Sequence, residues 1–461
     1  QELENMSLKE AIVDVFKRLK GRNTVAILSH DDRKIYALRN GSPLVIGIAK
    51  DGVYLSSDTL SFSFATNKAV FLENYDMVEI DGKDIKIFDV LENKKKKIEV
   101  KELKHQYNNI EKGKFKHFML KEIVDQKETL LFATNYTEKD LEQLVNEVKK
   151  RNKVFLIGAG TAGFAAGQVA YFLRNIANVD AREIKSYEFR SYLPIVNKGD
   201  VVIAFSQSGE TADTIEAIEG MKEKGCKIAS IVNMHGTTIS SLSDFEFYAN
   251  SGPEICVAST KVFTAQCAWG YLLAMSVVGK YRIAKKNIKE LSKEITRLFT
   301  KESFANIRDI SSCMVNKDSA FILGKGENVY IAFEGALKIK EVSYKHVEGF
   351  AAGELKHGVI ALVEKGTIVF GIIPPKESED SASLISAMEQ VKTRGAFTIG
   401  VGSQEFSKMD LFDRYIETPQ VGNISSISNA IPFQLISYFL SVKLGNNVDR
   451  PRNLAKSVTV K

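Results

Sequence analysis

The chain has 461 residues, of which 44% are hydrophobic and 26% are charged, a composition typical of globular proteins with roughly two to four domains. Its formal net charge of +6 is small for this length, so we expect no nucleic-acid partner. The four cysteines and six histidines show no metal-ligand spacing, which predicts no metal site. Cys226, Cys256 and Cys267 lie in apolar surroundings typical of buried thiols in a reducing compartment, so we expect a cytoplasmic protein.

The first hundred residues predict a helix followed by antiparallel strands. Residues 7–22 have the pattern of an amphipathic helix. Between residues 24 and 100, short apolar runs alternate with Asp, Gly and Asn turns, which indicates an antiparallel sheet region. The lysine run at 94–97 falls between two such runs and is expected at the solvated tip of a hairpin.

From His117 onward the pattern changes to alternating helices and apolar strands, which predicts parallel sheets with helices on both faces. The alternation repeats: VFLIGAG at 154–160 is echoed by AFILGKG at 320–326, and GDVVIAF at 199–205 by KGTIVFGI at 365–372. Two copies of one α/β unit, about 165 residues apart, are therefore expected. The longest apolar stretch, 262–279, is interrupted by polar residues and predicts a buried helix, and no membrane partner.

Residues 201–214, VVIAFSQSGETADT, predict a phosphate site, because a strand enters a loop of hydroxyl residues and glycine and then a helix. The loop can donate hydrogen bonds from Ser206, Gln207, Ser208 and Thr211. It lacks the Gly-Lys-Ser/Thr ending of a nucleotide loop, which favours a small phosphorylated metabolite. The second copy has Pro374 and Pro375 at this place, so one phosphate site per chain is expected. A serine-rich turn that merely caps a helix is the alternative.

A second glycine pattern allows another hypothesis. Gly158 to Gly163 fits GxGxxG after a strand, and Asp180 lies about 20 residues further on, as in dinucleotide sites. However, close packing of a helix against a strand needs the same small residues, and Asp180 precedes the next apparent strand. We therefore favour packing over a dinucleotide.

The densest cluster of ionisable residues lies in the second unit. Glu334, Lys338 and Glu341 share one face of a predicted helix, and Glu354 and His357 follow in the next loop. A ladder of surface ion pairs is the alternative interpretation. The small residues around these charges favour a site where the backbone approaches a ligand.

Five motifs carry a resemblance to a known family: SQSGETADT (206–214), EICVASTKVFTAQ (254–266), EGALKIKEVSY (334–344), FAAGELKHG (350–358) and PRNLAKSVTVK (451–461). Together they resemble the glutamine:fructose-6-phosphate amidotransferases, from about residue 104 to the end of the chain. The resemblance implies two tandem doubly wound sugar isomerase (SIS) domains with parallel sheets, preceded by the incomplete, antiparallel C-terminal part of an Ntn-type glutaminase domain. The implied segments are 1–103 for this part, 104–283 and 284–445 for the SIS domains, and 446–461 for a terminal tail.

The resemblance also implies the roles of individual residues. Glu341 would move a proton between C1 and C2 of fructose 6-phosphate, with Lys338 nearby, and Lys456 would form a Schiff base with the C2 carbonyl. His357 would open the sugar ring from the neighbouring subunit, which implies a homodimer. The substrate-binding residues would be Ser206, Gln207, Ser208, Thr211, Thr161, Val257, Ser259 and Glu254. No cofactor is needed for this chemistry.

The implied function is synthesis of glucosamine 6-phosphate from fructose 6-phosphate and ammonia, with glutamine as the ammonia source in a complete enzyme. The glutaminase nucleophile would lie upstream of Gln1, since no cysteine precedes Cys226. Two departures from the family pattern are Ala162 in place of a serine and Val359 in place of a proline. The alternatives are a deaminase or isomerase of another amino-sugar phosphate and a non-catalytic sugar-phosphate sensor.

Overall fold

The computed structural model describes residues 6–102, 111–150, 152–456 and 458. The predicted border at residues 103 and 104 and most of the motif after Lys456 lie outside this part of the chain. Helix α1 (Leu8–Arg18) begins at Ser7, whose hydroxyl accepts the N–H of Glu10 while the Glu10 carboxylate accepts the N–H of Ser7. This reciprocal capping explains why the helix begins abruptly.

Nine strands follow, as the alternation of apolar residues and turns predicts: β1 Asn23–Leu28, β2 Ile35–Asn40, β3 Val45–Ile48, β4 Val53–Ser56, β5 Lys68–Phe71, β6 Asp76–Asp81, β7 Asp84–Asp89, β8 Lys94–Lys96 and β9 Lys101–Glu102. They form two antiparallel sheets, in the orders β1-β2-β6-β7-β8 and β4-β3-β5-β9. The predicted place of the lysine run is wrong. The hairpin turns before it, and the lysines form edge strand β8, where Lys96 pairs with Glu73 and Asp76.

The first parallel unit comes after helices α2 (Phe118–Ala133) and α3 (Glu138–Lys149). Its elements are β10 Val154–Gly158, α4 Gly160–Ala177, β11 Ala181–Lys185, β12 Val201–Ser206, α5 Ala212–Glu223, β13 Lys227–Val232, α6 Thr238–Leu242, β14 Phe245–Tyr248 and α7 Lys261–Val277. The strands are parallel in the order β11-β10-β12-β13-β14. Strands β10 and β12 are buried along their whole length, because helices cover both faces.

The second parallel unit repeats this plan after α8 (Tyr281–Glu294) and α9 (Lys301–Cys313). Its elements are β15 Ser319–Gly324, α10 Val329–Ser343, β16 His346–Ala351, β17 Ile368–Ile372, α11 Glu379–Lys392, β18 Phe397–Gly402, β19 Arg414–Glu417, α12 Ser425–Ser428 and α13 Ala430–Lys443. The strand order β16-β15-β17-β18-β19 matches that of the first unit position by position. The predicted repeat of one α/β unit is confirmed.

The two units share one core. Helix α4 packs against α7 and α10, and α10 packs against α13, so the helices between the sheets belong to both units. Every residue of α7 is buried, which confirms the predicted buried helix except at Val278 and Gly279, which follow the helix and are exposed. In the described ranges, no helix is both long and apolar enough to cross a bilayer.

Close packing accounts for the GxGxxG pattern. A Cβ on Gly163 would lie 2.9 Å from the carbonyl oxygen of Gly158, because α4 starts directly against the end of β10. Asp180 holds the guanidinium of Arg182 with two hydrogen bonds of 2.8 Å. Both features on which the dinucleotide hypothesis depends therefore have a structural explanation.

Candidate active site between the two parallel units

The predicted phosphate loop lies at the point where the strand order of the first sheet reverses. The chain leaves β10 towards β11 on one side and leaves β12 towards β13 on the other, which opens a crevice at the carboxyl ends of β10 and β12. The turn at 159–162 and the loop at 206–211 border this crevice. The topology thus brings Thr161 and Ser206 to the same edge of the sheet.

Hydrogen bonds within the loop hold its hydroxyl groups together. Ser206 Oγ accepts the N–H of Gly209 at 3.0 Å and lies 3.1 Å from Thr211 Oγ1. Gly209 has φ +71°, a left-handed conformation that favours glycine. Ser208 Oγ accepts the N–H of Glu210 at 3.1 Å. The loop therefore presents two neighbouring hydroxyls at the start of α5, the arrangement expected for anion binding.

The C-terminal tail reaches this loop. The N–H of Ala212, the first residue of α5, donates to the carbonyl oxygen of Val458 at 3.2 Å. Lys456 is two residues before Val458, so the tail places the predicted imine-forming lysine next to the predicted phosphate loop. This proximity joins two motifs that are about 250 residues apart in the chain.

Helix α10 of the second unit supplies a buried charged cluster. Lys338 is 0% and Glu334 is 1% exposed. Lys338 Nζ lies 2.5 Å from Glu341 Oε2, 2.8 Å from Thr161 Oγ1 and 3.5 Å from Glu334 Oε1. The surface-ladder alternative is therefore wrong, because these charges lie between the two units. Thr161 connects the cluster to the crevice of the first unit.

Burial and neighbouring charges shift the pKa values of Glu334 and Lys338. Burial raises the pKa of Glu334 to about 8, although the ammonium of Lys338 opposes the shift. Burial disfavours the charge on Lys338, but the carboxyl groups of Glu334 and Glu341 outweigh it and raise the pKa of Lys338 above its ordinary value. Burial thus favours the neutral form of Glu334, whereas its carboxyl partners favour the charged form of Lys338.

Lys456 lies against a buried carboxylate. Its Nζ donates to Glu254 Oε2 at 2.8 Å and to the carbonyl oxygen of Cys256 at 2.7 Å. Burial opposes the charge on Glu254, but Lys456 and hydrogen bonds from Thr260 and Ser259 outweigh it and hold the pKa of Glu254 below its ordinary value. Glu254 also acts electrostatically on Lys338, which connects the tail to the charged cluster.

The tail is attached to both units before it reaches this point. Asp449 accepts the N–H groups of Phe118 and Met119 at the start of α2, at 3.1 and 2.9 Å, and its carbonyl accepts the N–H of Val257 at 3.0 Å. The N–H of Arg452 donates to the hydroxyl of Tyr344, the residue that ends α10, at 2.8 Å. The position of Lys456 therefore depends on contacts with both units.

The remaining predicted residues divide into two groups. Gln207, Ser208, Val257 and Ser259 are partly buried residues of the two loops that border the crevice. His357 is different, since it ends an exposed turn (Glu354–His357). Within the described residues, no hydrogen bond or ion pair connects His357 with Lys338, Glu341 or Lys456.

Sequence reasoning missed two buried polar residues that support the site. Gln266 donates to the carbonyl oxygens of Ser206 and Ile231 at 3.1 and 3.2 Å, and so holds the end of β12. Glu122 accepts the N–H groups of Ile255 and Cys256, at 2.5 and 3.3 Å, behind the loop that binds Lys456. Gln266 ends the quoted motif at 254–266, which was the available signal, whereas Glu122 lies in none of the five motifs.

Comparisons with known proteins agree with this architecture. The SIS domain family matches residues 114–276 and 314–444. The glutamine–fructose-6-phosphate aminotransferase (isomerizing) of Pyrococcus horikoshii is 36% identical over 468 residues, which cover 99% of this chain and 77% of the relative. The enzyme of the same name from Clostridium tetani is 34% identical, over 98% of this chain and 77% of the relative.

A solved structure gives the same result. The C-terminal domain of glucosamine-fructose-6-phosphate aminotransferase from Francisella tularensis superposes with a TM-score of 0.67 at 28% identity, over 74% of this chain and all of that chain. The solved structure and the sequence relatives thus indicate the same family, the former over 74% of this chain and the latter over nearly all of it. The protein belongs to the glutamine–fructose-6-phosphate aminotransferase (isomerizing) family.

Proposed function

We propose that this chain forms glucosamine 6-phosphate from fructose 6-phosphate and ammonia. The observation that carries the proposal is the convergence of three groups that are far apart in the chain. A hydroxyl-rich loop at 206–211, a buried Lys338–Glu341 pair and the Lys456–Glu254 pair lie around one crevice. A phosphate-binding loop, a proton-transferring carboxylate and an amine are the groups that this reaction needs.

The loop would hold the sugar phosphate through Ser206, Gln207, Ser208 and Thr211, while Thr161, Val257 and Ser259 contact the sugar. Lys456 would attack the C2 carbonyl, which releases water and forms an imine. Glu254, which lies 2.8 Å from Nζ, would hold the amine beside C2, and the protons that the amine loses would leave with the carbonyl oxygen as water. Ammonia would then replace Lys456 at C2.

Glu341 would complete the isomerisation. Its carboxylate removes a proton from C1 and returns it to C2, while the O1 hydroxyl proton passes to the imine nitrogen, which leaves an aldehyde at C1 and an amine at C2. The ammonium of Lys338, 2.5 Å from Glu341, keeps that carboxylate oriented and stabilises negative charge that develops between C1 and C2. No cofactor takes part in these steps.

His357 would act in ring opening from a second copy of the chain. Its exposed turn supports this role, because a residue that serves its partner's crevice must face outward. The proposal therefore includes a homodimer. Two further predictions from the sequence belong to it: segment borders at 103, 283 and 445, and a cytoplasmic location.

The test is an end-point assay of glucosamine 6-phosphate from fructose 6-phosphate, run with glutamine and, in parallel, with ammonium at high concentration. We expect product with ammonium. Reduction with borohydride in the presence of fructose 6-phosphate should attach the sugar to Lys456. Absence of product with either nitrogen source, combined with tight sugar-phosphate binding, would favour the sensor. Release of ammonia from other amino-sugar phosphates would favour a deaminase.

A further inference from the structure

A short segment at 236–240 supports the phosphate loop from behind. The N–H of Ile239 donates to the carbonyl oxygen of Gly209 at 3.0 Å. The N–H of Thr238 donates to Glu210 Oε1 at 2.8 Å. A Cβ on Gly209 would lie 2.2 Å from Thr237 Oγ1, so the loop lies directly on this segment. The backbone of the loop therefore depends on where the segment is held.

The antiparallel region holds the other side of the same segment. Arg39 of β2 donates from Nη1 to the carbonyl oxygen of Leu72 and from Nη2 to Thr238 Oγ1, the latter at 2.8 Å. The ring of Phe71 at the end of β5 lies against Gly236, where a Cβ would be 2.3 Å from ring atom Cζ. Arg39 is only 8% exposed, so its guanidinium bridges the two regions inside the protein.

Charge complementarity accompanies this bridge. Glu210, the fifth residue of SQSGET, interacts electrostatically with Arg39 and Arg22. Buried polar atoms without a hydrogen-bond partner among the described residues include Glu210 Oε2, Arg39 Nε and Arg22 Nε. Buried charges with unused hydrogen-bonding capacity are sensitive to small displacements of their partners. A displacement of β2 would thus change the electrostatic interaction between Arg39 and Glu210.

We propose that Arg39 is a positioning residue that couples the antiparallel region to the phosphate loop through Thr238 and Glu210. The inference rests on the proposed function only in taking the loop as the phosphate site. Such coupling is reciprocal: phosphate binding must affect the antiparallel region as strongly as a change in that region affects phosphate binding.

Calorimetry on the full chain tests the inference, with fructose 6-phosphate and inorganic phosphate as separate probes. Arg39→Met should raise the Kd for both probes about tenfold, as expected when a hydrogen bond to a charged group is lost. Arg39→Lys should restore part of the affinity. Thr238→Val should raise the Kd by a similar factor. The Kd of the double variant should be no higher than that of the single variant that binds more weakly. Arg18→Met is the matched control, since Arg18 lies on the exposed face of α1 and pairs with Asp14 at 3.0 Å.

Hydrogen exchange supplies a second measurement, the slowing of amide exchange by the ligand, which a loss of stability alone would not abolish. Fructose 6-phosphate should slow amide exchange in β2 and β5 of the wild type and of Arg18→Met, but not of Thr238→Val. Unchanged affinity in Thr238→Val, or additive effects of the two substitutions, would overturn the inference. If Arg39→Met fails to fold, Thr238→Val decides. A wild type that binds inorganic phosphate yet makes no glucosamine 6-phosphate would refute the proposed function. The inferred coupling would then be decided by the phosphate affinities and the hydrogen exchange of the variants.

Discussion

The two parallel units have the same strand order but different chemistry in their crevices. In the first unit, β12 leads into the hydroxyls of Ser206 and Thr211, and the Thr211 side chain makes no capping bond to α5. In the second, β17 leads to Pro374 and Pro375, and Ser378 caps α11 by accepting the N–H of Asp380. Asp380 then lies 3.5 Å from Lys325 of the opposite loop.

The second crevice therefore carries its own carboxylate at the helix start where the first would receive a phosphate. One backbone plan can keep or lose an anion site through the residues of a single loop. The second unit contributes instead through α10, which carries Glu334, Lys338 and Glu341 into the space between the units. In the proposed function, the first unit therefore binds the sugar phosphate and α10 of the second unit supplies Lys338 and Glu341.

Substitution of the reacting groups should have the largest effect. We expect Lys456→Ala and Glu341→Gln each to lower ammonia-dependent turnover by roughly a thousandfold or more, because one removes the imine-forming amine and the other the proton-transferring carboxylate. Lys443→Ala is the control, a tail-proximal lysine that donates to Ser312 at the surface. Turnover equal to wild type in either site variant would refute the assigned roles.

Substitution of the loop hydroxyls should distinguish the roles of the two units in substrate binding. Ser206→Ala combined with Thr211→Val should raise the KM for fructose 6-phosphate about 10- to 100-fold with a smaller change in kcat. Ser378→Ala in the second unit should lower the free energy of unfolding by about 1 kcal/mol and leave that KM unchanged. Steady-state kinetics and urea unfolding measure both. An equal rise in KM for Ser378→Ala would mean that the second crevice also binds the substrate.

Glu122 should make stability depend on pH. Burial and the neighbouring Glu254 raise its pKa to about 8, and its side chain is almost fully buried. The native state therefore keeps a proton that the unfolded chain loses at a pKa of about 4.3, so the contribution of Glu122 to stability is greatest below that pH and falls as pH rises towards 8.

The contribution of Glu122 should reach about 1.4 kcal/mol per pH unit within this window. Glu122→Gln should remove it, so urea unfolding at pH 5.5 and 7.5 should show a smaller decline than in the wild type. Glu128→Gln, an exposed carboxyl on the same helix, should decline as the wild type does. Parallel declines in all three proteins would contradict the burial argument.

The smallest effect is expected at Ala162, where the family pattern has serine. Ala162→Ser would add a hydroxyl beside Thr161 in the crevice, and one extra hydrogen bond should lower the Kd for fructose 6-phosphate about two- to fivefold. Ala177→Ser, at the other end of α4, serves as control. Calorimetry that shows no change, or weaker binding, would show that the crevice has no room or no partner for this hydroxyl.

The sequence by itself predicted the alternating helices and strands of the parallel units, their repeat and the hydroxyl-rich loop at 206–211. Continuous apolar runs such as VFLIG can only be buried on both faces, and the strand, loop and helix of SQSGETADT are neighbours in the chain. Motif likeness added the proposed roles of Lys456 and His357, which composition and spacing alone would not have indicated.

Only the tertiary structure decided which distant groups meet. The spacing of Glu334, Lys338 and Glu341 on one helix face fits a surface ladder as well as a buried cluster, and packing between α4 and α10 selected burial. The sequence around Lys456 contains no carboxylate, yet Glu254 pairs with it across 202 positions. Arg39 and Thr238 likewise meet across 199. Helix and strand periods specify neighbours within an element, whereas such contacts depend on how whole elements pack.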